Sequence, residues 1–155
     1  MRIISGLYKG RKIFEPTDNL TRPLKDLVRE SIFNILEHSS LSSKKIFKSN
    51  VLDLFSGSGS FGLECISRGA LKVIFVENYS KVLKILRKNI EKLNCTQKSK
   101  VIALDIYKQQ KSEKLNEDFD FIFIDPPFKD KQFSDLLVNL KKNKIIKKKN
   151  SFNNT

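Results

Sequence analysis

Histidine occurs once in this 155-residue chain and cysteine twice. His38 stands alone, and Cys65 and Cys95 have no CxxC spacing, so neither a zinc cluster nor a disulfide framework can be built from them. We expect no metal and two reduced thiols, with Cys65 buried by a helix. His38 reads as the end of a helix and not as a catalytic base. No apolar run approaches the roughly 20 residues that span a bilayer. The start, Met1-Arg2-Ile3-Ile4-Ser5-Gly6, lacks the apolar core of a signal peptide. The expectation is a cytoplasmic monomer with no membrane partner, and the length suits one domain with a real core.

Acidic residues are also few: 17 against 30 basic ones, a net charge of +13. That balance points to a polyanion, nucleic acid above all. Lysine alone is weak support, because lysine, asparagine, isoleucine and phenylalanine share A/T-rich codons and all are abundant here. The 6 arginines run against that bias, and four of them (Arg2, Arg11, Arg22 and Arg29) fall in the first 29 residues. Arginine forks onto phosphate in a way lysine cannot.

Residues 1–16 read as two short strands, 2–4 and 12–14, forming a basic hairpin around Gly6 and Gly10. Apolar residues at 24, 27, 28, 32, 35 and 36 predict a helix over 24–37. Strands then alternate with helices. Strands are predicted at 51–55, 72–76, 101–104 and 119–124, and helices at 61–68, from Ser80 as N-cap through Leu93, and over 132–140. Gly69 would end the second helix in a left-handed cap. Near-continuous apolar strands separated by helices predict an α/β fold with a mainly parallel sheet covered on both faces. Lys144-Ile145-Ile146 suggests a short edge strand. The phenylalanines are assigned mostly to the core, with Phe55 and Phe61 edging the ligand pocket.

Ligands of such sheets sit beyond the carboxyl ends of the strands. Each predicted strand brings an acid there: Asp53, Glu77, Asp105 and Asp125, in one line along the sheet edge. Gly57-x-Gly59-x-x-Gly62 follows the first strand. Alone it fits a dinucleotide as well as another nucleoside. Asp53 beside the turn shifts the reading, since a carboxylate repels a pyrophosphate but suits the sulfonium of S-adenosyl-L-methionine. Glu77 and Asp105 each admit two readings, a solvated strand-end acid or an acceptor for ribose hydroxyls and adenine respectively. Asp125-Pro126-Pro127-Phe128 follows the buried run 121–124. Two prolines stiffen the turn and remove two donors, leaving carbonyls free to accept. An acid, a rigid acceptor carbonyl and an aromatic ring suit a planar base bearing an exocyclic NH2.

These residues resemble the class I S-adenosylmethionine-dependent methyltransferases that act on exocyclic amines. Arg2-Ile3-Ile4-Ser5-Gly6, Lys9-Gly10-Arg11-Lys12, Thr21-Arg22-Pro23 and Val28-Arg29-Glu30-Ser31-Ile32-Phe33-Asn34 narrow the resemblance to the bacterial 16S ribosomal RNA guanine-N2 methyltransferases, over residues 1 to about 140. The resemblance implies a Rossmann-like three-layer domain. It divides the chain into a hairpin extension at 1–20, a methyltransferase domain at 21–146 and a Lys/Asn-rich tail at 147–155. It implies that Asp53, Phe55, Ser56, Gly57, Ser58, Gly59, Glu77 and Asp105 bind the cofactor. Asp125, Pro126, Pro127 and Phe128 would be catalytic, and Arg2, Arg11, Lys12, Arg22 and Arg29 would meet RNA. The partner implied is 16S ribosomal RNA within a small-subunit assembly intermediate. Such sheets close with an antiparallel pair of strands, and the residues after Phe128 do not read as that pair, so the chain is expected to be shortened at its C-terminal end. The rival readings are a non-catalytic RNA-binding remnant and a methyltransferase for DNA adenine or protein glutamine.

Overall fold

A computed structural model describes residues 1–17, 26–38, 44–108, 115–127 and 132–146. In chain order these form α1 (Asp26–His38), β1 (Asn50–Leu54), α2 (Ser60–Ser67), β2 (Lys72–Glu77), α3 (Ser80–Lys92), a single 3-10 turn (Thr96–Lys98), β3 (Ser99–Ala103), β4 (Phe121–Ile124) and α4 (Phe133–Lys142). All four strands are parallel, in the order β3-β2-β1-β4. The chain moves outward from β1 to β3 and then returns to the other side of β1. The crevice above β1 and β4 is therefore the point where strand order reverses, the usual place for a ligand. Among the described residues no helix is long and apolar enough to cross a membrane.

The two-residue period of the strands divides the apolar side chains into two cores. Val51, Val73 and Phe75 face α1, α2 and α3. Leu52, Leu54, Ile74, Val76 and Ile102 face the other way, where α4 supplies Leu136 and Leu140. Three rings tie the first layer together. Phe61 of α2 stacks between Phe33 of α1 and Phe123 of β4, with centroids 4.9 and 3.7 Å apart. The Arg68 guanidinium covers the outer face of Phe33 at 4.4 Å.

Several expectations need correction. The predicted stripe on α1 is rotated: Leu27, Val28 and Ile35 are exposed, while Arg29 and Phe33 are buried. Phe33 turns inward to stack on Phe61, and Arg29 follows because carbonyl and carboxylate partners await it inside. Arg29 is fully buried, donating to the Arg2 carbonyl and to Asp26, so it is withdrawn as an RNA contact. Ser80 is the first residue of α3 and not its cap; Tyr79 holds the cap position. Lys144-Ile145-Ile146 forms a turn after α4, with Lys144 at φ 59°, and not an edge strand. Phe47 is exposed. Arg22 and Phe128 lie outside the described residues.

The N-terminal hairpin reduces to one antiparallel bridge, Arg2 with Lys12, supported by bonds from the Ile3 and Ile13 N–H groups to the Arg11 and Met1 carbonyls. It lies against the body through buried Ile3 and Ile13. At Gly6 (φ 79°) a Cβ would stand 2.0 Å from the Ser67 carbonyl oxygen, so only glycine permits this approach. Glu64 of α2, fully buried, accepts from the N–H groups of Ile4 (2.7 Å) and Ser5 (2.9 Å) and from Arg68 Nε (2.9 Å). Removing it leaves two backbone donors and the Arg68 Nε without an acceptor, while Arg68 keeps Glu37, at 2.7 Å. Glu64→Ala is expected to lower unfolding free energy by about 3–5 kcal/mol, read by urea titration; a loss below about 1 kcal/mol would show that Glu64 is not what holds the hairpin.

Candidate functional site

The site is built around the turn that leaves β1. Phe55 (φ 59°), Gly57 (φ 57°) and Gly59 (φ 84°) all take left-handed backbone, so the chain reverses within five residues and enters α2. Phe55 is the costly member, since it carries a Cβ there. Ser56 locks the turn: its N–H donates to the Val76 carbonyl at 3.1 Å and its hydroxyl to the Asp53 carbonyl at 2.6 Å. Gly59 N–H closes the turn on the Ser56 carbonyl at 2.8 Å. Ser56 and Ser58 are both buried, so their side chains shape the turn from within.

The four acids do not stand in one line. Leu54 pairs with Val76 and with Ile124, which puts Phe55 level with Glu77 and Asp125. Glu77 pairs with Ala103, so Asp105 lies two residues further out. Asp53 lies two residues deeper, inside β1, at 1% exposure.

Asp53 points toward α2. Its Oδ2 accepts from the Gly62 N–H at 3.1 Å. A Cβ on Gly62 would meet the Phe75 ring at 2.3 Å and this carboxyl at 2.9 Å, which is why a glycine sits in the first turn of α2. Burial pushes the Asp53 carboxyl up to about 8; the Gly62 N–H opposes this, and the negative charges of Asp125 and Glu77 reinforce it. At neutral pH Asp53 is thus mostly protonated in the free protein.

Glu77 is tied to the turn. One oxygen accepts from Gly57 N–H at 2.9 Å and the other from the N–H groups of Asn78 and Tyr79, both at 2.9 Å. Asn78 and Tyr79 both precede α3, so Glu77 braces the approach to that helix without capping it. Asp105 accepts from the Tyr107 N–H at 3.1 Å and lies 3.5 Å from Lys108 Nζ. The Tyr107 ring lies against Phe55 with centroids 5.4 Å apart, forming an apolar wall beside the turn. Asp125 is solvent-facing and has no side-chain hydrogen bond among the described residues, and partial burial raises its carboxyl above the usual range. Pro126 and Pro127 follow at the rim.

Of the basic candidates, Arg2, Arg11 and Lys12 are exposed on the hairpin. Arg11 donates to the Lys92 carbonyl at 2.6 Å and lies over the Tyr8 ring at 5.6 Å. The arrangement thus joins Asp53, Phe55, the glycine turn, Glu77 and Asp125 at one crevice, with Asp105 on its β3 side. Sequence reasoning missed Glu64 and Asn89, both fully buried. The signal was available for Asn89: it lies three residues after Leu86 and seven after Val82, a polar residue on the buried arc of α3.

The fit of a nucleoside cofactor can be judged from the donor set. The turn meets two carboxyl groups, Asp53 and Glu77, and the Gly57 N–H already points at one of them. That surrounding opposes a pyrophosphate and suits a phosphate-free nucleoside bearing positive charge, with the Phe55–Tyr107 wall for a flat base.

Comparison with known proteins agrees. The family described as conserved hypothetical protein 95 matches residues 1–152. Ribosomal RNA small subunit methyltransferase D of Haemophilus influenzae is 40% identical over 132 residues, covering 83% of this chain and 64% of that protein. The protein of the same name from Buchnera aphidicola subsp. Baizongia pistaciae is 39% identical over 148 residues, 95% of this chain and 71% of the relative. A solved Escherichia coli structure whose name places it among the methyltransferases superposes with a TM-score of 0.77 at 29% identity, covering 92% of this chain and 72% of that one. The chain thus spans about two thirds of the length of these relatives. With the sheet order, the glycine turn and the acids at the strand ends, these matches show that the chain belongs to the family of small-subunit ribosomal RNA methyltransferases and carries their α/β fold.

Proposed function

We propose that this chain transfers a methyl group from S-adenosyl-L-methionine to the exocyclic N2 amine of a guanine in 16S ribosomal RNA, presented in a small-subunit assembly intermediate. The observation that supports this best is the placement of Asp125-Pro126 beside β1, level with Phe55 and Glu77. An amine acceptor and a nucleoside-binding turn thereby share one crevice. The family names support ribosomal RNA as the substrate.

Glu77 is the residue for ribose hydroxyls and Asp105 for the adenine amine. Asp53 and the backbone of Ser56, Gly57, Ser58 and Gly59 would hold the methionine end, with Phe55 beside them. When bound, the cofactor supplies an electrophilic methyl group on a sulfonium. The chain's own work is on the acceptor. An aryl amine is a poor nucleophile because its lone pair is delocalised into the ring. Asp125 and the Pro126 carbonyl accept the two N–H bonds and so turn the lone pair out of conjugation, while Asp125 stabilises the positive charge that grows on nitrogen. Pro127 stiffens the acceptor loop, and Phe128 would stack on the base. The base must be unpaired or flipped to reach this depth. Arg2, Arg11, Lys12 and Arg22 would meet RNA phosphates.

Two outcomes follow. Asp125→Ala should lower methyl transfer to small-subunit particles by about 10²–10⁴-fold while S-adenosylhomocysteine affinity stays within a few-fold. Label appearing in DNA adenine or protein glutamine instead of N2-methylguanosine would overturn the substrate assignment, and equal loss of transfer and cofactor affinity would overturn the role of Asp125.

The second concerns pH. The folded Asp53 pKa of about 8 lies above the ordinary carboxylate value, so the folded state holds a proton that the unfolded chain has lost. Its stabilising contribution is complete at acid pH and disappears as pH rises through about 8. Between pH 6 and 8 the wild type should lose stability relative to Asp53→Asn, by up to about 1.4 kcal/mol per pH unit. Parallel urea titrations of the two proteins check it; identical pH slopes would contradict a protonated Asp53.

A further inference from the structure

The hairpin is joined to the body by more than its isoleucines. Asn89 of α3 is fully buried. Its Oδ1 accepts from the Phe14 N–H at 2.7 Å, and its Nδ2 donates to the Phe14 carbonyl at 2.9 Å and to the Ser58 carbonyl at 3.0 Å. The Phe14 N–H needs an acceptor, which fixes the orientation of the amide. Three of its four bonding positions are therefore divided between the hairpin and the glycine turn. One helical turn earlier, Leu86 Cδ1 lies 2.4 Å from where a Gly59 Cβ would be. So α3 presses on two consecutive residues of the turn while gripping the hairpin.

Arg29 repeats the pattern from α1. It donates to the Arg2 carbonyl and, at the long distance of 3.5 Å, to the Ser60 carbonyl. Ser58 and Ser60 flank Gly59. Both strands of the hairpin are thus linked, through one buried side chain each, to the two sides of the residue around which the cofactor turn is built. Apolar packing of Ile3 and Ile13 would suffice to dock an arm that only held RNA. A buried amide shared between two backbone segments instead fixes their relative position, since a shift of either leaves desolvated polar groups unpaired.

We propose that Asn89 is a positioning residue that couples RNA on the hairpin to the cofactor in the glycine turn, so that each tightens the binding of the other. The proposal rests on the function assigned above. RNA held by Arg2, Arg11 and Lys12 restrains the hairpin. Asn89 passes that restraint from Phe14 to the Ser58 carbonyl, and the cofactor then meets a turn already ordered. Linkage requires the effect to be reciprocal.

Equilibrium dialysis of labelled S-adenosylhomocysteine against the full chain, with and without unmethylated 16S ribosomal RNA, tests this. Wild type should bind the nucleoside about 5-fold or more tightly with RNA present, and RNA should bind tighter by the same factor when the nucleoside is saturating. Asn89→Ala, and Asn89→Asp, which keeps the acceptor for Phe14 but loses the donor to Ser58, should bind both ligands with a coupling factor near one. The wild-type measurement stands even if both variants fail to fold. Independent binding in the wild type, or full coupling retained in a folded variant, overturns the proposal alone. A wild type that binds neither ligand overturns the functional reading with it.

Discussion

The reversal of the chain between β1 and α2 is the constraint on which the rest depends. Three left-handed residues, one of them Phe55, must be held within five positions. Such backbone persists only where its surroundings over-determine it. Here Ser56 fastens the turn to β2, Glu77 takes the Gly57 N–H, and Asn89 takes the Ser58 carbonyl. Asp53 holds the Gly62 N–H just beyond. Two of these contacts come from β2, one from α3 and one joins β1 to α2, so a correctly formed turn requires β2, α2 and α3 all to be in place.

The same contacts explain the chemistry. Tightness brings the turn within reach of Glu77 on one side and of Asp125 on the other, and it drives Asp53 so deep that its carboxyl is neutral near pH 7. With Asp53 mostly neutral, the crevice is responsive to the charge of what enters. A cation would favour the Asp53 carboxylate, whereas a pyrophosphate would find acids and no basic side chain in the turn. On the proposed function, selection between nucleosides would lie in residues that precede and follow the glycines, more than in the glycines themselves.

Much of this was legible in the sequence, for definite reasons. Strands covered on both faces are apolar nearly throughout, so the buried β1 and β2 and the half-buried β4 announced themselves, and Glu77 and Asp125 were located simply by ending β2 and following β4. The residues that failed were those whose surroundings come from distant chain. Arg29 looks like a surface cation until Phe33 turns inward to Phe61 and carries it along. Asp53 looks level with the other acids until pairing places it two residues deeper. Ser80 looks like a cap because nothing local reveals that the helix already begins at it, with Tyr79 in the cap position. Glu64 was silent because Ile4 and Ser5 lie at least 59 residues away, and Asn89 showed only as a polar residue on a buried helix arc, its partner Phe14 being 75 residues away.

The central claim is that this turn holds a phosphate-free adenosyl cofactor. A thermal melt of the chain with S-adenosylhomocysteine, and separately with NAD, tests it most directly. At about 100 times its dissociation constant a specific ligand adds roughly 2.7 kcal/mol, a rise of several degrees for a chain of this length. A cooperative transition raised by S-adenosylhomocysteine and left in place by NAD is the result the account predicts. A transition raised by NAD, or moved by neither nucleoside, would contradict it.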